Sequence, residues 1–316
     1  MRAVRFHEYG DPDALRAEDV PEPQPGPGQV RVRVAATSFN GIDGNIRAGF
    51  MQGPIPVVLP HTPGIDVAGH VDALGDGVAG LAVGDAVIGF LPMTADGAAA
   101  EQVVVPAEVL TAAPTSIPLV DAAALPAVGL TAWQALFEHG GLTTGQRLLV
   151  HGAGGAVGGY AVQLAHAAGV HVVATAGPRS RDRVEAAGAD EVVDRTTTAL
   201  ATAVTEPVDV VLNLAPVEPA ELASLTDLVR PGGVVVSTTV WMPAPSDPDR
   251  DVRGIDLFVH SDAAQLAGLV GRVDRGELRV EVAERVPLDD LASVHRAAAA
   301  GAISGKVVVV VVVAED

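Results

Sequence analysis

The sequence has no cysteine among its 316 residues. This excludes disulfides, thiolate nucleophiles and every zinc site that needs a sulfur ligand. Aromatic residues make up 3% of the chain, so its core must consist mainly of aliphatic side chains. Cations are also scarce: 20 Lys+Arg stand against 39 Asp+Glu, and Lys306 is the only lysine. Because nucleic acids and anionic membrane surfaces bind clustered cations, we expect neither as a partner.

Long apolar runs are missing as well. The longest run near the end, Val307–Ala314, is far shorter than the ~20 residues that a membrane-spanning helix needs. The first residues, MRAVRFHEYGD, contain no apolar segment of the kind found in secretion signals. We therefore expect a cytoplasmic protein. With 48% hydrophobic and 19% charged residues the chain is typical of globular proteins, and its length suggests two domains.

The first part of the chain is predicted to be rich in β-structure. Apolar and charged residues alternate over Val30–Val34, which is the pattern of a half-buried strand. Glycine turns separate the short apolar segments that follow, and these are also predicted to be strands: Asp66–Leu74, Ala86–Phe90 and Ala100–Val105.

The pattern changes near residue 120. A helical stretch over Leu119–Glu138, with interruptions predicted at Pro126 and Gly129, leads into alternating strands and helices. This alternation predicts βαβ units and a parallel sheet. The predicted strands are Arg147–His151, His171–Thr175, Val208–Leu212 and Val234–Thr238, and the predicted helices are Ala156–Ala168, Ser180–Ala187 and Pro219–Val229.

The last part of the chain is predicted to hold two helices and two strands. The final strand contains seven consecutive valines, and an exposed strand of this kind would promote aggregation, so we expect it to pack inside a domain. The helices lie near Ala263–Arg275 and Leu288–Ala300, and the strands near Val280–Val286 and at Val307–Val313.

A glycine-rich segment joins the strand at Arg147–His151 to the helix that follows it. Its sequence, HGAGGAVG, places Gly152, Gly155 and Gly158 three residues apart. Such glycines allow a tight turn and close approach of the backbone to a pyrophosphate, and the helix then offers free N–H groups. The alternative is a purely structural turn in a chain with 35 glycines. The cofactor-binding candidates are Gly152, Gly154, Gly155, Ala156, Val157 and Gly158.

The end of the next strand indicates which dinucleotide would bind. An NAD site usually has an acidic residue there, which hydrogen-bonds the ribose 2′-hydroxyl. Here the sequence is TAGPRSRDR, with no acid at the strand end and three arginines beyond it, which favours the 2′-phosphate of NADPH. The alternative is that these arginines only occupy the first turn of an exposed helix. The candidates from this segment are Thr175, Gly177, Arg179 and Arg181.

Six motifs occur in the order in which they are found in one family. The chain resembles the medium-chain dehydrogenase/reductase superfamily over essentially its whole length, and in particular the zinc-free, zeta-crystallin-like quinone oxidoreductase branch. The motifs are PGIDVAG at Pro63–Gly69, VGDAVIG at Val83–Gly89, LTAW at Leu130–Trp133, the glycine loop at Gly152–Gly158, RPGG at Arg230–Gly233 and GKVV at Gly305–Val308.

The resemblance implies an α/β architecture with a GroES-like, β-rich catalytic domain and a Rossmann domain with a doubly wound parallel sheet. Residues 1–118 and 261–316 would form the catalytic domain, and residues 119–260 the domain that binds NADPH. A small-molecule substrate would lie in the interdomain cleft. The family also implies a homodimer.

The resemblance further implies that this chain lacks the catalytic zinc of other superfamily members. Those members have a cysteine at the position of Ser38 and Gly-His-Glu where this chain has Gly64-Ile65-Asp66. The spacing alone leaves open a site made of His61, Asp66 and His70, but we expect no metal. Hydride transfer to a quinone or an α,β-unsaturated carbonyl then becomes more plausible than alcohol oxidation, because the substrate itself takes up the electrons.

Asn40 is the predicted catalytic residue. Asn40 and Asp43 resemble the N-x-x-D segment that lies beside the nicotinamide in the family, so Asn40 would hydrogen-bond the substrate carbonyl or the cofactor. The alternative is that both residues cap a turn. Thr131 resembles the threonine near the nicotinamide, and its alternative is a hydroxyl bonded to its own helix backbone.

Three aromatic residues are predicted to line the substrate site together with Asn40. Tyr9 resembles an N-terminal element near the cleft, Trp241 follows a strand of the parallel sheet, and Phe258 would border the nicotinamide. Each could equally be a packing residue. A tyrosine that many relatives carry near position 50 is missing, because the segment here is Gly49-Phe50-Met51. We expect Lys306 to serve the backbone turn or a contact on the cofactor side.

The function predicted from these features is that of a zinc-independent, NADPH-dependent reductase of quinones or α,β-unsaturated carbonyls. Two other functions stay open from the sequence. One is a pathway-specific tailoring reductase or cyclase of secondary metabolism. The other is a largely non-catalytic NADPH-binding protein.

Overall fold

The chain forms two compact units in the computed structural model, which describes residues 1–194, 196–239 and 241–311. One unit contains Met1–Ala127 and the chain from Ser261 onward. The other unit is Val128–His260. Each unit has its own sheet and its own aliphatic core, as the low aromatic content requires.

The first unit begins with seven strands and two helices. The alternation predicted for Val30–Val34 is confirmed, because the three valines of that segment are fully buried and the two arginines between them are not. The strands are β1 (Arg2–Phe6), β2 (Leu15–Asp19), β3 (Gln29–Ser38), β4 (Asp66–Leu74), β5 (Ala86–Phe90), β6 (Gln102–Pro106) and β7 (Leu110–Ala112). The helices are α1 (Gly41–Arg47) and α2 (Leu119–Ala122).

The second unit is built around six parallel strands, which confirms the predicted parallel sheet. The strands are β8 (Arg147–His151), β9 (His171–Thr175), β10 (Glu191–Val193), β11 (Val208–Asn213), β12 (Val229–Ser237) and β13 (Arg253–Asp256). The helices are α3 (Pro126–Trp133, which starts in the first unit), α4 (Ala156–Ala167), α5 (Arg181–Ala186), α6 (Leu200–Ala203) and α7 (Pro219–Ser224).

The strand order of this sheet is β10-β9-β8-β11-β12-β13. In chain order this is 3-2-1-4-5-6, the arrangement of dinucleotide-binding sheets, in which the order reverses between the first and fourth strands. β8 and β11 are those two strands here, and they pair directly, with Asn213 opposite His151. The carboxyl end of β8, where the glycine loop begins, therefore lies at the point where such sheets bind ligands.

Some boundaries in this part of the chain differ from the predictions. Pro126 does break the predicted helix, since α3 begins there, but Gly129 lies inside α3 and interrupts nothing. The predicted helix Pro219–Val229 ends at Ser224, and a 3₁₀ turn over Leu225–Leu228 then leads into β12. The strands β10 and β13 were not predicted, because three and four residues are too few to show a period.

The chain then returns to the first unit through α8 (Ala263–Asp274), β14 (Glu284–Pro287), α9 (Leu291–Ala299) and β15 (Val307–Val310). The seven-stranded sheet has the order β14-β15-β3-β4-β5-β7, with β6 also paired to β3. The strand predicted near Val280–Val286 begins later, at Glu284, where pairing with β15 starts. The valine strand does pack inside, as predicted, over Val307–Val310; Val312 and Val313 lie outside the described residues.

Candidate functional site

The glycine loop of the second unit follows β8 directly. Gly152 has φ +93°, and a Cβ there would lie 3.0 Å from the backbone nitrogen of Ala215. At Gly158 a Cβ would lie 2.4 Å from the carbonyl oxygen of Ala153. Gly152 therefore permits the turn, and Gly158 lets α4 pack on the loop, so a side chain at either position would deform the loop.

The amino terminus of α4 follows the glycine loop directly. This helix has 12 residues and begins after Gly155, a residue without a side chain that could cap the first turn. The first N–H groups of a helix have no partner inside it and carry the positive end of the helix dipole. Ala156 and Val157, both predicted to bind cofactor, belong to this turn. The backbone here fits a phosphate group.

Thr175, at the end of β9, holds the glycine loop. Its buried hydroxyl accepts a hydrogen bond from the Gly152 N–H at 2.8 Å, and its carbonyl accepts one from the Ala153 N–H at 3.0 Å. Gly177 accepts a bond from the Ser180 N–H at 3.0 Å and so shapes the turn before α5. Thr175 thus stabilises the conformation of the loop through two hydrogen bonds to its backbone.

The arginines after β9 lie in three different settings. Arg179 is exposed and forms no ion pair within the described residues. Arg181 is paired with Glu185 on the same helix, Nε to Oε1 at 2.8 Å. Arg183, which was not among the predicted site residues, donates a hydrogen bond to the carbonyl oxygen of Gly154. Arg183 thus binds the backbone of the glycine loop. Arg179 carries a charge that is not paired with any acid of the described residues.

A pair of adjacent glycines tests the packing of this loop. We expect Gly158→Ala to lower the free energy of unfolding by about 1–3 kcal/mol, because its Cβ meets the Ala153 backbone. Gly159→Ala is the matched control: nothing lies within 4 Å of its added Cβ, and alanine is the better helix former, so stability should rise by about 0.5–1 kcal/mol. Urea unfolding of both variants decides this, and equal losses would contradict the packing role of Gly158.

Asn40 and Asp43, in the first unit, do cap a turn. Asn40 precedes α1 and its N–H donates to Asp43 Oδ2 at 2.9 Å, while Asp43 Oδ1 accepts from the Gly64 N–H at 3.1 Å. Burial raises the pKa of Asp43 from 3.8 to about 6, although the two backbone bonds act in the opposite direction. Asp43 therefore joins α1 to the segment that leads into β4.

A buried polar cluster surrounds the Asn40 side chain. Asp66 Oδ2 accepts hydrogen bonds from Ser38 Oγ, from Asn40 Nδ2 at 2.8 Å and from Lys306 Nζ at 3.2 Å. Lys306 Nζ also donates to Asn40 Oδ1 at 2.5 Å and to the Phe39 carbonyl at 3.2 Å. We call Ser38, Asn40, Asp66 and Lys306 the Lys306 cluster. Lys306 is 3% exposed and Asp66 0%.

The fold brings this cluster together from three strand ends. Ser38 ends β3, Asp66 begins the antiparallel neighbour β4, and Lys306 immediately precedes β15. β15 pairs antiparallel with β3, and the Phe39 N–H extends this pairing to the Val307 carbonyl at 3.0 Å. Lys306 is thereby carried to Asn40, a contact that was not predicted from the sequence.

Two members of the Lys306 cluster, Ser38 and Asp66, are at positions where the resemblance implies metal-binding motifs in zinc-containing members of the superfamily. The donors of the cluster are one hydroxyl, one carboxylate and an amide, and the Lys306 ammonium lies 3.2 Å from the carboxylate oxygen that a metal would need. Zinc sites use three or four nitrogen, sulfur or carboxylate ligands, so this set does not fit zinc. Across residues 1–194, 196–239 and 241–311 no group of three His, Cys, Asp or Glu side chains could hold a metal, including the set of His61, Asp66 and His70.

The remaining predicted residues are divided between the units. Tyr9 lies in the first unit, half-buried, with its ring centroid 6.1 Å from that of Phe6. Thr131 is half-buried on α3, and Trp241 and Phe258 are 61% and 52% exposed, all three in the second unit. Their roles toward a substrate or cofactor stay predictions. In the part of the chain that the structure describes, no helix has the length and apolar character needed to cross a membrane.

Comparison with known proteins identifies two dehydrogenase domains and a relative that matches nearly the whole chain. The model of the alcohol dehydrogenase GroES-like domain matches residues 26–115, and the model of the zinc-binding dehydrogenase family matches residues 187–309. The quinone oxidoreductase of Lama guanicoe is 31% identical over 312 residues, covering 93% of this chain and 92% of that protein.

Two further relatives extend the comparison. The chloroplast envelope quinone oxidoreductase homolog of Arabidopsis thaliana is 39% identical over 200 residues, so the match spans 61% of this chain and 61% of the plant protein's length. A mycobacterial protein solved in complex with NADPH is 29% identical, with a TM-score of 0.83 and coverage of 98% of this chain and 100% of that chain.

Proposed function

This chain belongs to the quinone oxidoreductase branch of the medium-chain dehydrogenase/reductase superfamily, and on that premise we propose that it is a zinc-independent, NADPH-dependent reductase of quinones or α,β-unsaturated carbonyls. The observation that carries the proposal is the carboxyl end of β8 and β9. The amino terminus of α4, the glycine loop and the exposed Arg179 all follow these two strands, in a sheet with the dinucleotide-binding strand order.

The proposal assigns the binding of the cofactor to named groups of the second unit. The first-turn N–H groups at Ala156 and Val157 would bind the pyrophosphate, and Gly152 and Gly158 keep the backbone free of side chains that would deform it. Arg179 and Arg181 would bind the 2′-phosphate. Arg181 would then give up part of its ion pair with Glu185 in order to contact the phosphate. When bound, the cofactor supplies a hydride. The mycobacterial complex with NADPH supports this choice of cofactor.

In the first unit the proposal assigns Asn40 to orientation of the carbonyl that receives the hydride or of the cofactor amide. Its backbone is held by Asp43 and its side chain by the Lys306 cluster, so little ordering would remain when a ligand binds. Orientation of reacting groups can account for a large part of a rate enhancement. No metal is required for this step, in keeping with the donor set of the cluster.

Turnover tests the proposed reaction directly. Purified protein is mixed with NADPH and a panel of benzoquinones, naphthoquinones and enones, and nicotinamide absorbance is followed. We expect NADPH oxidation that depends on the acceptor. Bound NADPH with no turnover across the panel would contradict the proposed reaction and support one of the other two functions.

The choice of cofactor is tested by Arg179→Ala/Arg181→Ala. We expect the preference for NADPH over NADH to fall by about 10- to 100-fold, because one or two charge-assisted bonds to the 2′-phosphate are lost. Arg16→Ala/Arg253→Ala removes two exposed arginines elsewhere and is the matched control for charge. An unchanged ratio of the two dissociation constants, measured by fluorescence titration, would overturn the phosphate assignment.

Two further properties remain part of the proposal. One is a cytoplasmic location, which fractionation of the source cells would test. The other is a homodimer, which sedimentation equilibrium would test.

A further inference from the structure

The hydrogen-bonding capacity of Lys306 is fully used inside the protein. Its ammonium group has three hydrogens and no lone pair. It donates to Asn40 Oδ1, to Asp66 Oδ2 and to the Phe39 carbonyl, at 2.5, 3.2 and 3.2 Å. The only lysine of the chain is therefore tied to the residue predicted to be catalytic.

The two charges of the cluster determine which way the Asn40 amide faces. An ammonium group can only donate, so the Asn40 atom beside it must be the oxygen. An ionised carboxylate can only accept, so the atom beside Asp66 must be the nitrogen. The contacts obey this: Oδ1 lies 2.5 Å from Lys306 Nζ, and Nδ2 lies 2.8 Å from Asp66 Oδ2. A flipped amide would lose both bonds. It would also place its NH₂ group against the Lys306 ammonium and its oxygen against the Asp66 carboxylate.

This orientation leaves Asn40 one defined group for a ligand. One Nδ2 hydrogen is held by Asp66, and the nearest acceptor for the other is the Ser38 carbonyl at 3.5 Å, a weak contact. Asn40 is half-buried, so this hydrogen can be given to a ligand oxygen. The amide is thus set to donate to a carbonyl oxygen.

We infer that Lys306 and Asp66 are positioning residues, which lock the side-chain amide of Asn40 in the orientation that donates to the oxygen of the substrate or of the cofactor amide. The inference rests on the proposed function for the identity of that oxygen, but not for the locked amide itself. Lys306 is the only cation of the cluster, and its ammonium group lies beside the carboxylate oxygen that a metal would need.

A charge-neutral double variant separates positioning from stability. Lys306→Met leaves a buried carboxylate without its cation and should be unstable for that reason alone. Lys306→Met/Asp66→Asn removes both charges, so its Tm should recover toward that of the wild type. The Asn40 amide has then lost both groups that fix its direction. We expect kcat/KM for quinone reduction to stay about 10- to 100-fold below wild type, with most of the loss in kcat.

The matched control is Arg31→Met/Asp72→Asn. Arg31 Nε and Asp72 Oδ1 form an ion pair at 2.8 Å between β3 and β4 in the same unit, outside the Lys306 cluster. We expect this control to keep the kcat and KM of the wild type. Full recovery of kcat together with Tm in Lys306→Met/Asp66→Asn would overturn the positioning role and leave Lys306 a purely structural residue.

A second readout needs no turnover. The chain has three asparagines, Asn40, Asn45 and Asn213, so selective ¹⁵N-asparagine labelling gives three side-chain NH₂ pairs. We expect the Asn40 pair, assigned with an Asn40→Ala sample, to shift strongly in Lys306→Met/Asp66→Asn while the Asn213 pair stays in place. An unmoved Asn40 pair would overturn the inference. If the wild type shows no turnover but the Asn40 pair still shifts in the double variant, the result contradicts only the proposed function.

Discussion

Replacing Lys306 with methionine is expected to lower the free energy of unfolding by about 3–5 kcal/mol, because removal of one partner of a buried ion pair leaves the other charge uncompensated. Lys306 and Asp66 are 3% and 0% exposed, and their charged atoms lie 3.2 Å apart. The loss should exceed that of an exposed pair by a wide margin, since exposed pairs contribute about 0–1 kcal/mol.

Urea unfolding of three proteins tests this expectation: the wild type, Lys306→Met and Lys306→Met/Asp66→Asn. The double variant should regain most of the loss, since it buries no unpaired charge. Arg285→Met is the matched control, because Arg285 forms a bidentate pair with Asp121 at 2.7 and 2.8 Å but is half exposed. A Lys306→Met loss no larger than that of this control would contradict the expected cost of leaving a buried charge without its partner.

The second large effect concerns His295 and acid. His295 lies on α9, 1% exposed, with neither ring nitrogen hydrogen-bonded within the described residues and its ring 4.8 Å from that of Phe39. Burial, and then the nearby Arg47 charge, lower the pKa of His295 from 6.5 to about 3. As the pH falls below 6.5 the unfolded chain takes up a proton that the folded chain refuses, so stability is lost.

Between pH 8 and pH 5 this linkage should cost the wild type about 2 kcal/mol, and about 4 kcal/mol by pH 3. His295→Leu should be free of that loss and, because it buries no unpartnered nitrogen, at least as stable as the wild type at pH 7. The measurement is the difference in unfolding free energy between the two proteins across this range. His166→Leu, at an exposed position, controls for the loss of an imidazole as such. A constant difference across the range would contradict a neutral buried His295.

Comparison with His295→Leu is needed because Asp43 acts in the opposite direction. The folded chain holds the Asp43 proton up to a pKa of about 6, while the unfolded chain releases it near 3.8. Stability from this group therefore falls as the pH rises through that interval. In the wild type the effects of Asp43 and His295 on the pH dependence of stability partly cancel. The difference between His295→Leu and the wild type isolates the contribution of His295.

The sequence predicts the cofactor-binding half of the candidate site better than the other half, for a physical reason. The glycine loop and the arginines are contiguous, so local rules for turns, helix termini and phosphate recognition apply to them directly. Even here the role of Thr175 needed the structure. Its hydroxyl accepts the hydrogen bond from the Gly152 N–H. Nothing in the segment TAGPRS indicates whether this hydroxyl stabilises the loop or binds a ligand.

The Lys306 cluster could not be found in this way. Lys306 and Asn40 are 266 residues apart, and their contact depends on the register between β15 and β3, which a run of identical valines does not specify. The sequence did offer one signal, a single lysine beside a buried strand. Its meaning follows only when the pairing of Val308 with Ser38 is known.

The burial of Lys306 also determines how the rest of the chain presents itself to reactive chemistry. No other residue carries a primary amine on its side chain, and this one is sealed in the interior with all its hydrogens engaged. Every other positive side chain is an arginine or a histidine. Acylating reagents, reducing sugars and aldehyde cross-linkers, which are attacked by amines, therefore find no lysine on the folded surface. The amino group of Met1, which is partly buried and donates to the Val20 carbonyl at 2.8 Å, is then the one primary amine outside the core of the described residues.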